Sequence, residues 1–225
     1  IASYRDEWVY DFSKQSLEEK MKYFVNSYQR TLANMDNSEK FNIKWDADLE
    51  IYCKRNIEKK FEQLNIVKAL YRPYSSMYFY FDKHFIGRTY QWFNLFRNNG
   101  DNIYICFNGI GSNKPFQTIA NSTIVGLDTL EKTQCIARYR YDSEGKRVDN
   151  ITDWGLNQFV KKYGKKGIDK ETVYHYIYAV LHYPAYRVKY ALNLKIDFPR
   201  IPFYQDFHLW ASWGKVLMDL HINYE

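Results

Sequence analysis

Asp128 and, sixteen positions later, Glu144-Gly145-Lys146 have the carboxylate, carboxylate-x-lysine order of many metal-dependent nucleases. In those enzymes the two acids hold Mg²⁺ and the lysine polarises the attacking water. That chemistry hangs its Glu and Lys from a continuous strand. Here Ser143, Gly145 and Lys146 form a turn signal between Tyr141 and Val148, so the order is read as accidental and no catalytic residue is assigned.

Other chemistries lack their residues. His84, His175, His182, His208 and His221 form no H-E-x-x-H or H-x-E pairing and have no Cys or carboxylate at metal-ligand spacing. Cys53, Cys106 and Cys135 are odd in number, far apart and without a C-x-x-C pair, which argues against a disulfide framework or zinc knuckle and for buried thiols. No N-P-P-Y loop is present to hold a flipped base, and no Gly-rich loop to hold a methyl donor. Gly109 to Lys114 leads into a strand instead of the helix N-terminus that a phosphate loop needs. No cofactor and no metal are therefore expected in this chain.

The residue types that remain suit a polyanion. Net charge is +6, from 32 Lys+Arg against 26 Asp+Glu, which favours polyanionic partners near the surface. A duplex reader needs cations for phosphates, and a smaller set of amides and guanidiniums for base edges. Lys83, His84, Arg88, Gln91, Arg97 and Asn98 fall in one loop-prone region. Asn108, Ser112, Asn113, Lys114, Gln117, Asn121 and Ser122 crowd a second, and Arg138, Arg140, Lys146 and Arg147 a third. Tyr71 and Tyr74, around Arg72-Pro73, could stack on a base or sugar, although 22 Tyr, 15 Phe and 6 Trp make aromatics the general core filler. Lys161-Lys162-Tyr163-Gly164-Lys165-Lys166 closes a helix, where cations suit the dipole and could clamp a phosphate.

These groups need a scaffold, and 225 residues with 46% hydrophobic content can bury one substantial core or two small ones. No run of about 18 apolar residues and no secretory signal occurs, so a soluble, cytoplasmic protein without membrane contact is expected. The chain opens with Ile1 on what reads as a strand over Arg5 to Phe12, suggesting a piece of a longer polypeptide. Ser16-Leu17-Glu18-Glu19 has capping-box form and predicts a helix from Leu17 to about Met35, with Leu17, Met21, Phe24, Val25, Tyr28 and Leu32 on one stripe. Asp36-Asn37-Ser38 breaks it, and a second helix is predicted from Asp46 through Phe61.

From Asn65 to Val148 the pattern becomes short runs of Val, Ile, Tyr, Phe and Thr between Pro, Gly, Asn and Asp. Strands are predicted at Ile66 to Arg72, Met77 to Phe81, Ile103 to Asn108, Thr118 to Val125 and Cys135 to Tyr141. After Asn150 helices return. Thr152 caps one with Trp154, Leu156, Phe159 and Val160 inside, ended by Gly164. Asp169 caps another that stops before Pro184, a third follows to about Leu194, Pro199 and Pro202 force an extended crossing, and a closing helix has a weak point at Gly214. The expected fold class is α+β: a mixed, mostly antiparallel β core with N-terminal connector helices and a C-terminal helical layer. Its expected segments are 1–62, 63–148 and 149–225.

Several ordered segments carry a family resemblance: Arg5-Asp6-Glu7-Trp8-Val9-Tyr10-Asp11-Phe12, Tyr71-Arg72-Pro73-Tyr74 before Tyr78-Phe79-Tyr80-Phe81-Asp82, Ile151-Thr152-Asp153-Trp154, His182-Tyr183-Pro184-Ala185-Tyr186-Arg187 and Asp197-Phe198-Pro199-Arg200-Ile201-Pro202-Phe203. In order and rough spacing, from Tyr4 to Glu225, the chain resembles the C-terminal specificity region of type ISP single-polypeptide restriction-modification enzymes and related helicase-methyltransferases. Tyr74 stands where that family usually has Phe, and Ala137-Arg138 replaces a usual Pro-Leu before Tyr139-Arg140-Tyr141-Asp142. The resemblance implies a non-catalytic target-recognition domain for double-stranded DNA. It also implies partner methyltransferase and motor domains on the same polypeptide, which would use S-adenosylmethionine, ATP and Mg²⁺. Two other readings stay open: an interdomain docking module that reads no bases, and a Mg-dependent nuclease fragment. The DNA-contact candidates are Lys83, Arg88, Gln91, Asn113, Lys114, Gln117, Asn121, Arg138, Arg140, Lys146, Arg147, Arg72 and Tyr74.

Overall fold

A computed structural model describes residues 1–34, 37–97 and 102–224. Met35, Asp36 and the candidate Asn98 lie outside the described residues. The fold is α+β with mostly antiparallel strands. Contacts group the chain into two compact units, Ile1–Tyr71 with Ser75–Trp92, and Arg72–Tyr74 with Phe93–Glu225. This grouping cuts across the three segments suggested by composition, because the first two long strands fall with the N-terminal helices and the later strands with the C-terminal ones.

The first unit holds α1 (Asp6–Val9), β1 (Tyr10–Asp11), α2 (Lys14–Asn34), α3 (Ala47–Lys54), β2 (Ile66–Arg72) and β3 (Ser75–Tyr80). β1 pairs antiparallel with β3, Tyr10 opposite Phe79, and β2 lies on the other side of β3. All six stripe residues of α2, from Leu17 to Leu32, are buried, with Phe24 and Tyr28 edge-on to Phe85 at 5.5 and 6.3 Å. The strand expected over Arg5 to Phe12 is instead a helical turn followed by a two-residue strand. The cause is tertiary. Arg5 is buried, ion-paired with Asp46 and set over the Phe24 ring, and its carbonyl accepts the N–H groups of Trp8 and Val9 at 2.9 and 3.2 Å.

Capping also shifts. α2 starts at Lys14, because the Ser13 hydroxyl accepts the Ser16 N–H at 3.3 Å while the Ser16 hydroxyl turns to Asp11 at 2.9 Å. The second helix does begin after Asp46, which accepts the Leu49 N–H at 2.9 Å, but it ends at Lys54 rather than continuing to Phe61. Asn56 in the left-handed region, φ 53, turns the chain out of the helix.

The main segment of the second unit begins within the one-turn α4 (Trp92–Leu95), at Phe93. Its strands are β4 (Tyr104–Phe107), β5 (Thr118–Asn121), β6 (Ile124–Val125), β7 (Gln134–Ala137), β8 (Tyr139–Tyr141) and β9 (Arg147–Asp149). Its helices are α5 (Asp153–Tyr163), α6 (Lys170–His182), α7 (Pro184–Lys189), α8 (Asn193–Ile196) and α9 (Phe207–Ile222). β4 is the centre of a three-stranded antiparallel sheet, between β5 and β7. Ile105, Phe107 and Ala120 share a core with Val173, Tyr174, Tyr178, Leu181, Phe207 and Met218, so one sheet face lies against α6 and α9.

Tyrosine hydroxyls of α6 finish this packing. Tyr174 donates within reach of the Ile103 and Ile136 carbonyls, at 3.0 and 2.7 Å, and accepts the Ile105 N–H at 3.0 Å. Tyr178 accepts the Ala120 N–H at 2.7 Å, and Tyr176 donates to the Pro202 carbonyl at 2.8 Å. Each phenol satisfies backbone polar groups that burial would otherwise leave costly. Thr152 and Asp169 cap α5 and α6 as expected, the latter in a full capping box with Thr172. Trp154 is 74% exposed rather than inside. Gly214 is no weak point: it is buried where α9 crosses α6, and a Cβ there would lie 1.8 Å from the His175 carbonyl oxygen.

Candidate nucleic-acid interface

The third cation-bearing region folds as a β-ribbon. β8 and β9 pair antiparallel, with Tyr139 opposite Asp149, Arg140 opposite Val148 and Tyr141 opposite Arg147. The expected strand from Cys135 to Tyr141 breaks at Arg138 into β7 and β8, and the hairpin's second strand, Arg147–Asp149, is too short and charged to stand out in the sequence. The turn is built by Asp142, whose carboxylate accepts the Glu144 and Lys146 N–H groups at 3.0 and 2.8 Å while its carbonyl accepts the Gly145 N–H at 3.0 Å. Gly145 supplies φ 79, which completes a three-residue loop.

On the ribbon, arginines cover tyrosine rings. The Arg147 and Arg138 guanidinium carbons lie 4.3 and 4.9 Å from the Tyr139 centroid, and Arg97 lies 4.5 Å from that of Tyr141. Arg138 is half-buried and pairs with Glu171 at 2.8 Å, so part of its donor set is already used. Arg140 points to the ribbon's other face and is exposed, as are Lys146 at the turn and Arg147.

The second region is the loop between β4 and β5, and its backbone is tightly held. The Asn108 carboxamide donates to the Ser112 hydroxyl and the Pro115 carbonyl at 3.1 and 2.8 Å, and accepts the Gln117 N–H at 2.6 Å. The Glu131 carboxylate accepts from the Ser112 hydroxyl at 2.7 Å and the N–H groups of Asn113 and Lys114 at 3.4 and 3.3 Å. The Ser112 hydrogen bond, with those N–H groups, holds the Glu131 carboxyl below the usual carboxylate range. With the backbone fixed, the side chains of Asn113, Lys114 and Gln117 are exposed. Asn121 is different. It is half-buried, and its amide donates to the Thr123 carbonyl and hydroxyl at 2.8 and 2.9 Å, a job internal to the fold.

The second and third of these regions leave the sheet at different ends. Phe107 is opposite Thr118 and Gln134, whereas Tyr104 is opposite Asn121 and Ala137. The loop carrying Lys114 and Gln117 therefore leaves one end of the sheet, and Arg138 with the ribbon leaves the other. The same register separates the nuclease-like acids. A hydrogen bond from the Thr133 N–H to the Leu127 carbonyl, 2.6 Å, keeps Asp128 near the Gln134 end, while Glu144 sits at the ribbon turn. Among the described residues no three His, Cys, Asp or Glu side chains cluster closely enough to hold a metal.

Lys83, Arg88 and Gln91 are exposed on the segment after β3, in the first unit. The backbone of Arg88 is anchored by exchanged hydrogen bonds with Ala2 at 2.8 and 3.0 Å. Arg72 is exposed at the end of β2. Tyr74, at φ 56, packs edge-on to Tyr224 and His221, at 4.7 and 5.9 Å, and its carbonyl accepts the Tyr224 hydroxyl, so it acts as an anchor for the end of α9.

An α+β scaffold that presents exposed cations and amides on short braced turns has the make-up of a recognition module. The sequence profile of the type ISP C-terminal specificity domain matches residues 1–225, and the chain belongs to that family. Solved structures agree. A cryo-EM structure of a DrdV–DNA complex is similar over 100% of this chain at 39% identity and a TM-score of 0.93. A nuclease-deletion mutant of the type ISP restriction-modification enzyme LlaGI, in complex with a DNA substrate mimic, matches at 26% identity and a TM-score of 0.84. The ATP-dependent type ISP enzyme LlaBIII bound to DNA shares the fold at 24% identity and a TM-score of 0.88. This chain spans 23%, 22% and 15% of those three chains, respectively. No curated protein matches it. Among the described residues no helix is long and apolar enough to cross a membrane.

Proposed function

We propose that this chain recognises a specific double-stranded DNA site in the cytoplasm, and so positions methyltransferase and motor domains of the same polypeptide. The observation that carries this is the match of the whole chain to the specificity-domain family, together with a structure solved in complex with DNA that is 39% identical over the whole of this chain. Chemistry requiring S-adenosylmethionine, ATP and Mg²⁺ is assigned to those other domains. A two-stranded ribbon is one of the shapes that a major groove admits, and β8–β9 has that shape with Arg140 free of its tyrosine face. The loop bearing Lys114 and Gln117 leaves the sheet roughly 13 Å away, four residues at about 3.3 Å each, which is about four base pairs along a duplex. The two ends would then read separate steps of one asymmetric site.

A docking module that reads no bases is favoured by one observation. Leu209, Trp213, Val216 and Leu220 recur at helical spacing on α9 and are 43% to 63% exposed, an apolar stripe suited to another domain. Duplex affinity measured from low to moderate salt separates the readings. A reader that neutralises several phosphates loses orders of magnitude between about 50 and 200 mM salt. A flat dependence, or no binding to any duplex, would overturn DNA reading and leave docking.

A further inference from the structure

Cys106 and Cys135 face each other across β4 and β7 with their sulfurs 3.1 Å apart, and neither is in a disulfide. Their register is of the kind that admits a bridge. The Arg138 N–H donates to the Ile103 carbonyl at 2.8 Å, which makes that opposed pair a hydrogen-bonded one. Parity alternates along an antiparallel ladder, so Cys106 and Cys135 form a non-hydrogen-bonded pair, whose Cα atoms stand about 4.5 Å apart. That lies within the roughly 4.4–6.8 Å that a disulfide spans. The pair is also graded in access: Cys106 is fully buried and Cys135 half-buried.

We propose that Cys106 and Cys135 form an oxidisable dithiol site, which a low-molecular-weight disulfide enters at Cys135 and which then closes into a bridge between β4 and β7. In the first step the Cys135 thiolate attacks the small disulfide, forming a mixed disulfide and releasing one small thiolate. In the second the Cys106 sulfur attacks the Cys135 sulfur, the protein S–S bond forms, the second small thiolate departs, and the proton from Cys106 passes to it. Two protein S–H bonds and one small-molecule S–S bond are exchanged for one protein S–S bond and two small-molecule S–H bonds. The protein loses two electrons and the small disulfide gains them. Burial, together with the neighbouring Cys135, pushes the Cys106 thiol well above its ordinary value, so the second step is the slow one. The bridge would tie together the two strands that lead to the Lys114 loop and to the ribbon.

The test treats the folded chain with oxidised glutathione, followed by alkylation and non-reducing peptide mapping. The expected product links the Cys106 and Cys135 peptides with the loss of two hydrogens, reverts with a thiol reductant and leaves Cys53 alkylatable. Cys106→Ser should stop at a glutathione adduct on Cys135, and Cys135→Ser should leave Cys106 unmodified. The proposal fails if the wild-type chain stops at the adduct, links only after denaturation, or does not react.

Discussion

Gly214→Ala gives opposite answers depending on whether local preference or packing decides. In the middle of an exposed helix the change should stabilise by about 1 kcal/mol, since Gly is that much poorer than Ala. At the α6–α9 crossing the added Cβ would meet the His175 carbonyl oxygen at 1.8 Å, its carbon at 2.6 Å and the Ala179 nitrogen at 3.2 Å. Carbon–oxygen approach stops near about 3.3 Å, so the helices must part by roughly 1.5 Å. The obstacle is backbone, not a side chain that can swing aside. Overpacking of this severity costs about 3 kcal/mol, the upper end of its usual range. The net loss is about 2 kcal/mol, which lowers the thermal midpoint by roughly 4–8 °C for a chain of this size. Gly155→Ala is the control, since its Cβ would make only ordinary contact with Thr152 at 3.4 Å. Thermal unfolding of both variants by circular dichroism should show Gly155→Ala at or above wild type and Gly214→Ala clearly below. A Gly214→Ala midpoint equal to or above wild type would refute the close-approach argument.

Acid should weaken the second unit through His182. Burial, then Arg187 at 3.2 Å and His221, depresses its imidazole to about 3 from an ordinary 6.5. The unfolded chain therefore takes up a proton that the folded one refuses. The stabilisation is whole above about pH 6.5 and is lost as pH falls toward 3, on the order of 1–2 kcal/mol by about pH 5. Denaturant melts at stepped pH should show this slope, and His182→Phe should flatten it. Asp169→Ala removes the capping box of α6 and should cost about 1 kcal/mol in the same assay. If the domain reads DNA as proposed, Gln117→Ala relaxes discrimination at one base pair by about 1–3 kcal/mol, while Lys114→Ala weakens all duplexes equally. Competition binding with single-substituted sites distinguishes them, and identical behaviour of the two variants would sink that division of labour.

What could be read from the sequence was what neighbours in the chain decide. Ile66–Arg72, the Thr152 and Asp169 caps and the α2 stripe follow from spacing alone, and each was found where expected. Arg5 to Phe12 was misread because Arg5 is held by Asp46, 41 residues away, and no local pattern shows that. The ribbon was half seen: Gly145 marked its turn, but Arg147–Asp149 is too short and charged to announce itself as a strand. Placement of the candidate site was the least legible. Which end of a sheet a loop leaves depends on how β4, β5 and β7 pair, so residues equally polar in the sequence were divided between two ends by register.

The phenols of α6 have a mechanical consequence. A helix resting on a sheet through greasy contacts alone can slip along it at little cost, as one oily surface does on another. α6 is pegged: slipping by one turn would strand the Ile105 and Ala120 N–H groups and the Ile136 carbonyl without partners. Sheet and helix are therefore locked in one register, and sliding between them is opposed by each of those stranded groups.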